Sequence, residues 1–142
     1  RESERPSGRS HHLLSLILAE VAEAGIVGPK PTDSLVGRAL RFIQRNAFRP
    51  LSLSDVAKAV HRSPTHLATT IKRNTGHTVG DWINAQRVSE AARWLSHTDA
   101  SLDEVAEKVG WRDTTHFIRM FKRRHGVTPA AWRRQHRHPG PR

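Results

Sequence analysis

The chain has 142 residues, with 24 Lys and Arg against 13 Asp and Glu, a formal net charge of +11; this fits one domain or two very small ones and favours a polyanionic partner. It holds no cysteine, which excludes disulfides, thiolate metal sites and thiol nucleophiles and fits a reducing cytoplasm. Its longest apolar stretch, Leu13 to Ala24, is broken by Ser15, Glu20 and Glu23, falls short of the roughly 20 residues that cross a bilayer and lacks a secretory cleavage pattern.

Residues 1–12 are polar and without periodicity, and read as a flexible lead-in. Leu13, Leu14, Ile17, Leu18, Val21 and Ala22 recur at helical spacing, so 13–24 is expected as an amphipathic helix. Residues 25–33 hold two Gly and two Pro and read as a linker. The chain begins at Arg1 rather than Met and reads as the C-terminal piece of something longer; 13–24 is expected as the remnant of an N-terminal sensing or dimerisation domain, with a capping helix laid on the domain that follows as the alternative.

From Ser34 onward helices follow one another. Leu35, Val36, Ala39, Leu40 and Ile43 share a face, and Pro50 stops that helix. Ser52 or Ser54 can cap a short helix ending near Val60. Pro64 suits the first turn of the next helix, which ends at Gly76. A longer helix runs from about Val79 to Ser96. Ser101 can cap a short helix ending near Val109; another runs from Asp113 to about His125, closed by Gly126; and Pro129 opens a last one carrying Trp132. Strand signals are nearly absent, so the fold class is all-α.

The second half repeats the first. Leu53, Val56, Ala57 and Val60 match Leu102, Val105, Ala106 and Val109 at an offset of 49. After one inserted residue, Leu67, Ile71, Lys72, Arg73, Gly76 and Trp82 match Phe117, Phe121, Lys122, Arg123, Gly126 and Trp132 at an offset of 50. Each copy is a short helix, a tight turn and a longer helix, the pattern of a helix-turn-helix. Gly110 sits where the chain must reverse, which favours positive φ. His61 stands there in the first copy, so that copy is expected to be less regular. A bare structural bundle would show the same repeat. The basic residues opposite the apolar stripe of each second helix favour instead a helix that enters the DNA major groove. Seven basic residues and no acidic one lie between Arg119 and Arg137.

The stretch VAEKVGWRDTTHFIRMFKRRHGVTPAAWRR, residues 105–134, closely resembles the second helix-turn-helix signature of the AraC/XylS family of bacterial transcription regulators. The matches are Val105-Ala106, Gly110-Trp111, Phe117, Phe121-Lys122, Gly126, Pro129 and Trp132-Arg133. Residues 51–83 resemble the family's first copy through Ser63-Pro64, Leu67, Lys72 and Gly76, but carry Ile71 where the family prefers Phe and His61 where Gly is common. The likeness continues through Arg87-Val88, Ala91 and Trp94-Leu95 and covers residues 34–136. It implies two helix-turn-helix units, 53–76 and 102–126, joined by a rigid helix over 79–96, with 137–142 as a basic tail. A connector of ~18 residues is ~27 Å long. With its flanking turns it can place two reading helices about 34 Å apart, one turn of duplex DNA.

The resemblance puts base-facing positions at Thr65, His66, Ala68 and Thr69 in the first unit and at Thr114, Thr115, His116 and Arg119 in the second. Arg119 is the strong candidate for a bidentate guanine contact. Arg62, Lys72, Arg73, Lys122 and Arg123 are expected on phosphates, with Thr78 and Thr128 handing phosphates to helix N-termini. Arg87 is implied to tie helices together. Ten His include no pair at i, i+4 with an associated carboxylate, so no metal is expected. With no Gly-rich phosphate loop or nucleophile elbow, no enzyme and no cofactor is expected either. The function read from the chain is a sequence-specific activator in the cytoplasm, on the nucleoid, with double-stranded DNA and RNA polymerase as partners, a homodimer through an N-terminal region, and no membrane. The weak readers of the first unit keep a sequence-independent architectural DNA binder as the alternative, and 13–24 alone suggests a protein-interaction module.

Overall fold

The computed structural model describes residues 34–138. They form seven helices: α1 Leu35–Asn46, α2 Leu53–Ala59, α3 Pro64–Thr75, α4 Val79–His97, α5 Leu102–Lys108, α6 Thr114–His125 and α7 Pro129–His136. The described residues contain no strand. The expected lead-in, the amphipathic helix 13–24 and the linker 25–33 lie outside them, as does 139–142.

Each helix starts where a short polar side chain can accept a free N–H of its first turn. Ser34, Ser63, Asp113 and Thr128 cap α1, α3, α6 and α7 in this way. Ser52 with Asp55, Thr78 with Asp81 and Ser101 with Glu104 add the reciprocal bond that completes a capping box on α2, α4 and α5. Both α3 and α6 end at a left-handed glycine, Gly76 at φ 78° and Gly126 at φ 76°.

The apolar residues form two cores. In the first, Ala39, Ile43 and Ala47 meet Val56, Ala57 and Val60, then Leu67 and Ile71, and finally Val79, Trp82 and Ile83. In the second, Val88, Ala91, Ala92 and Leu95 meet Val105, Ala106 and Val109, then Trp111, Phe117 and Phe121. Thus the N-terminal part of α4 belongs to the first core and its C-terminal part to the second. One helix closes the first unit and opens the second, and so its buried residues do not lie on a single stripe.

Each unit is a leading helix, a helix-turn-helix and a trailing helix, held by the same two devices. An indole N–H from the trailing helix meets a hydroxyl: Trp82 Nε1 donates to Thr75 Oγ1 at 3.1 Å, and Trp132 Nε1 to Ser96 Oγ at 3.3 Å. A trailing-helix arginine meets carbonyls at or just beyond the C-terminal end of the leading helix: Arg87 Nε donates to Ala47 O at 2.6 Å and its Nη2 to Arg49 O at 2.9 Å, while Arg133 donates to Leu95 O at 3.2 Å and Ala100 O at 2.5 Å. Carbonyls at a helix C-terminus lack intrahelical donors, and a guanidinium satisfies two at once. The tail starts out fastened to the same end of α4: Arg137 pairs with Asp99, and His138 N donates to Ser96 O at 3.3 Å.

The first turn is not less regular than the second, contrary to the expectation from His61. His61 N donates to Lys58 O at 3.2 Å and Arg62 N to Ala57 O at 3.0 Å; Gly110 N donates to Glu107 O at 3.1 Å and Trp111 N to Ala106 O at 2.9 Å. His61 adopts φ 55°, within the left-handed well that His tolerates. Gly110 has φ 104°, and a Cβ there would stand 2.9 Å from Arg87 Nε and 3.0 Å from Ala47 O. Glycine is therefore required at 110 by both backbone and packing, and at 61 by neither. Gly110→Ala should lower unfolding free energy by about 2–4 kcal/mol in urea titration, and His61→Gly should change it by less than about 1 kcal/mol. Equal effects of the two substitutions would contradict this reading.

Candidate nucleic-acid interface

On α3 the core takes Leu67 and Ile71, which leaves Thr65, His66 and Thr69 exposed on the far side and Ala68 half-buried. On α6 the core takes Phe117 and Phe121, which leaves Thr115, His116 and Arg119 exposed and Thr114 half-buried. The eight sequence-predicted reading positions thus fall into two patches, one per unit, each on the second helix of its pair.

They are not equally free. Thr114 Oγ1 donates to Asp103 Oδ1 at 2.5 Å, so this hydroxyl joins α5 to α6 and leaves mainly its methyl for a ligand. The His116 ring stands edge-on to Trp111, centroids 6.5 Å apart, which restricts its orientation. Arg119 is exposed and forms no hydrogen bond or ion pair with any described residue. The offset of 50 that aligns the reading helices also pairs Ala68 with Ile118, which the sequence reading left out. Ile118 is half-buried beside the second core, and its remaining apolar surface suits a thymine methyl.

The predicted phosphate cations Arg62, Lys72, Arg73, Lys122 and Arg123 are all exposed. Lys72 Nζ donates to Gly76 O at 2.9 Å, which helps to close α3 and leaves two of its three N–H donors. Thr78 and Thr128 both use their hydroxyls as N-caps, accepting from Asp81 N at 3.1 Å and Ala131 N at 3.2 Å. The two helix ends then differ. At α4 the Asp81 carboxylate accepts from Thr78 N at 2.9 Å, so an anion already occupies that positive end. At α7 the first turn has no acid, and the helix dipole there favours an added anion.

Arg87, buried at 9% exposure, faces the interior rather than the reading patches. Burial pushes its guanidinium below its ordinary value without discharging it. Its Cζ also lies 5.8 Å from the centroid of the Trp111 ring, within cation–π range. Among the described residues no group of three or more His, Cys, Asp or Glu could hold a metal ion, and no helix is long and apolar enough to cross a membrane.

A helix-turn-helix domain family matches residues 56–135, which include both reading helices and α4. The chain belongs to the AraC/XylS family. It is similar to regulatory protein PocR of Salmonella typhimurium, with 36% identity over 108 residues, 76% of this chain and 36% of PocR. It is also similar to transcriptional activator NphR of Rhodococcus, with 35% identity over 102 residues, 70% of this chain and 30% of NphR. The chain therefore spans about a third of the length of these two relatives. Among solved structures, the C-terminal domain of AraT, a response regulator from Geobacillus stearothermophilus, matches with a TM-score of 0.73 and 30% identity over 78% of this chain and 92% of that one. The DNA-binding domain of AdpA, solved with a target DNA, matches with a TM-score of 0.67 and 25% identity over 72% and 93%. The AraC-type fold of two helix-turn-helix units is thereby shared by chain and neighbours.

Two capping boxes of this AraC-type fold make its stability respond to acid. Backbone N–H bonds from Ser52 and Thr78 hold the Asp55 and Asp81 carboxyls below the usual 3.8. A carboxyl with a depressed pKa stabilises the fold above the unfolded value and loses that contribution as pH falls through the folded one. The melting temperature should therefore fall below about pH 4, and a D55N/D81N double variant should show a shallower acid limb. An unchanged acid limb in that variant would rule these two carboxyls out as contributors.

Proposed function

We propose that the chain is the DNA-reading part of a transcription activator, with α3 and α6 entering two successive major grooves on one face of a promoter. The observation that carries the reading is the division of α4 between two cores. A helix buried in both units fixes one reading helix relative to the other, so a single molecule meets two half-sites of different sequence. The exposed cations around both patches, and the AdpA domain's complex with its target DNA, support DNA as the partner. NphR, named as a transcriptional activator, supports activation over repression. In this reading residues 34–136 are the DNA-binding domain, 13–24 is the remnant of a sensing or dimerisation region through which a homodimer forms, and an exposed surface meets RNA polymerase on the nucleoid in the cytoplasm. The role is binding rather than catalysis.

Base reading is unequal between the two helices. Arg119 can make a bidentate contact to guanine, while Thr65, Ala68 and Thr69 offer one hydrogen bond or a methyl contact each. That weakness on α3 favours one second reading, an architectural DNA binder with little sequence preference. Selection of bound duplexes from random DNA separates the two: a recurring site with two half-sites supports the regulator, and a specificity ratio near one supports the architectural binder.

On the selected duplex, Arg119→Ala should cost about 1–3 kcal/mol and relax preference at one base pair. Lys122→Ala should weaken every sequence alike and reduce the salt slope by about one. With about 6–8 phosphate contacts, log affinity should fall steeply with log salt. An Arg119→Ala loss that is uniform across base substitutions would remove Arg119 from base reading.

A further inference from the structure

An open groove separates the two units. His77, Asp81 and Asn84 line one wall, from the α3–α4 turn along α4, and Met120, Arg123 and Arg124 of α6 line the other. Asn84 Nδ2 approaches Met120 Sδ at 3.9 Å and joins the walls. Three groups able to carry positive charge thus face one carboxylate. That carboxylate is already engaged: Asp81 accepts from Thr78 N at 2.9 Å, at the positive end of α4. Neither Arg123 nor Arg124 forms an ion pair with a described residue. Arg124 remains exposed at the mouth of the groove, and the neighbouring walls lower its guanidinium from its ordinary value. Two guanidinium groups without an ion-pair partner, set in one groove whose single carboxylate is already engaged, attract an added anion.

The placement of the groove says which anion reaches it. At ~100° per residue along α6, Arg123 lies ~40° around the helix from Arg119 and Arg124 ~140°. The groove therefore begins beside the reading face and runs down the flank of α6 toward the first unit. A duplex held by α3 and α6 in successive major grooves turns its minor groove to the protein between them, with a sugar-phosphate backbone along each edge. We propose that this inter-unit groove takes a backbone phosphate of the bound duplex, midway between the half-sites, on Arg124, Arg123 and His77. The proposal rests on the two-groove reading above. Such a contact carries no base information. It sets the register of both units on the duplex, because its donors come from both.

The test uses the full chain and a duplex selected from random DNA, with single backbone phosphates replaced by neutral methylphosphonates. A central replacement should weaken wild-type binding about five- to tenfold. Arg124→Gln should weaken binding to the unmodified duplex by a similar factor, reduce the salt slope by about one, and bind the centrally modified duplex with no further loss. Arg124→Lys, which keeps the charge, should recover most of the affinity and controls for misfolding. Wild-type affinity in Arg124→Gln, or losses from variant and methylphosphonate that simply add, would overturn the proposal. A wild-type chain that shows no preference for the selected duplex would instead sink the two-groove reading, so the two failures are distinguishable.

Discussion

The guanidinium of Arg87 is where the two units meet. It donates to the carbonyls of Ala47 and Arg49 in the first unit and lies within cation–π range of Trp111 in the second. Gly110 closes over it so tightly that no side chain fits there. A buried charge is tolerated only when hydrogen-bonded, and here two otherwise unpaired carbonyls supply those bonds. The residue thus replaces a continuous apolar core at the joint. Taking away one partner of such a set leaves the others buried and unsatisfied, which costs more than the bond itself is worth. That asymmetry opposes opening of the joint, and the proposed function needs the joint to hold the two reading patches at a fixed spacing.

In the proposed function a joint held this way divides the work of binding. The reading helices would then need to present only short side chains, because α4 and Arg87 would have ordered them relative to each other before association. Cations on the flanks of α3 and α6 would supply affinity that is indifferent to sequence. Discrimination in the proposed function then falls to few groups, with Arg119 foremost.

Much of this was legible in the sequence. Ser, Thr and Asp caps, Pro64, Pro129, Gly76 and Gly126 mark helix ends through local chemistry, so the seven described helices could be placed from the residues alone. The repeat gave the two helix-turn-helix units, and with the exposed second helices it gave the two patches. Contacts between residues distant in sequence were not legible. Arg133 occupies a different register from Arg87 in the repeat, so nothing in the alignment of the two copies marks it as the equivalent carbonyl clamp. The bond from Thr114 to Asp103, which engages the hydroxyl of a predicted reader, needs the crossing of α5 and α6. His61 misled for a local reason: a residue that merely tolerates the left-handed region makes the same turn as one that requires glycine. Arg87 was implied by resemblance only, since its acceptors lie some forty residues away.

The spacing tolerance of the wild-type chain tests the central claim most directly. On the selected duplex, about five base pairs inserted between the half-sites turn the second one to the opposite face of the helix. Affinity measured by titration at fixed salt should then fall close to that for random DNA, with protection retained over one half-site only. Undiminished affinity, with both half-sites still protected, would show that the units move independently and that the joint at Arg87 does not set their spacing.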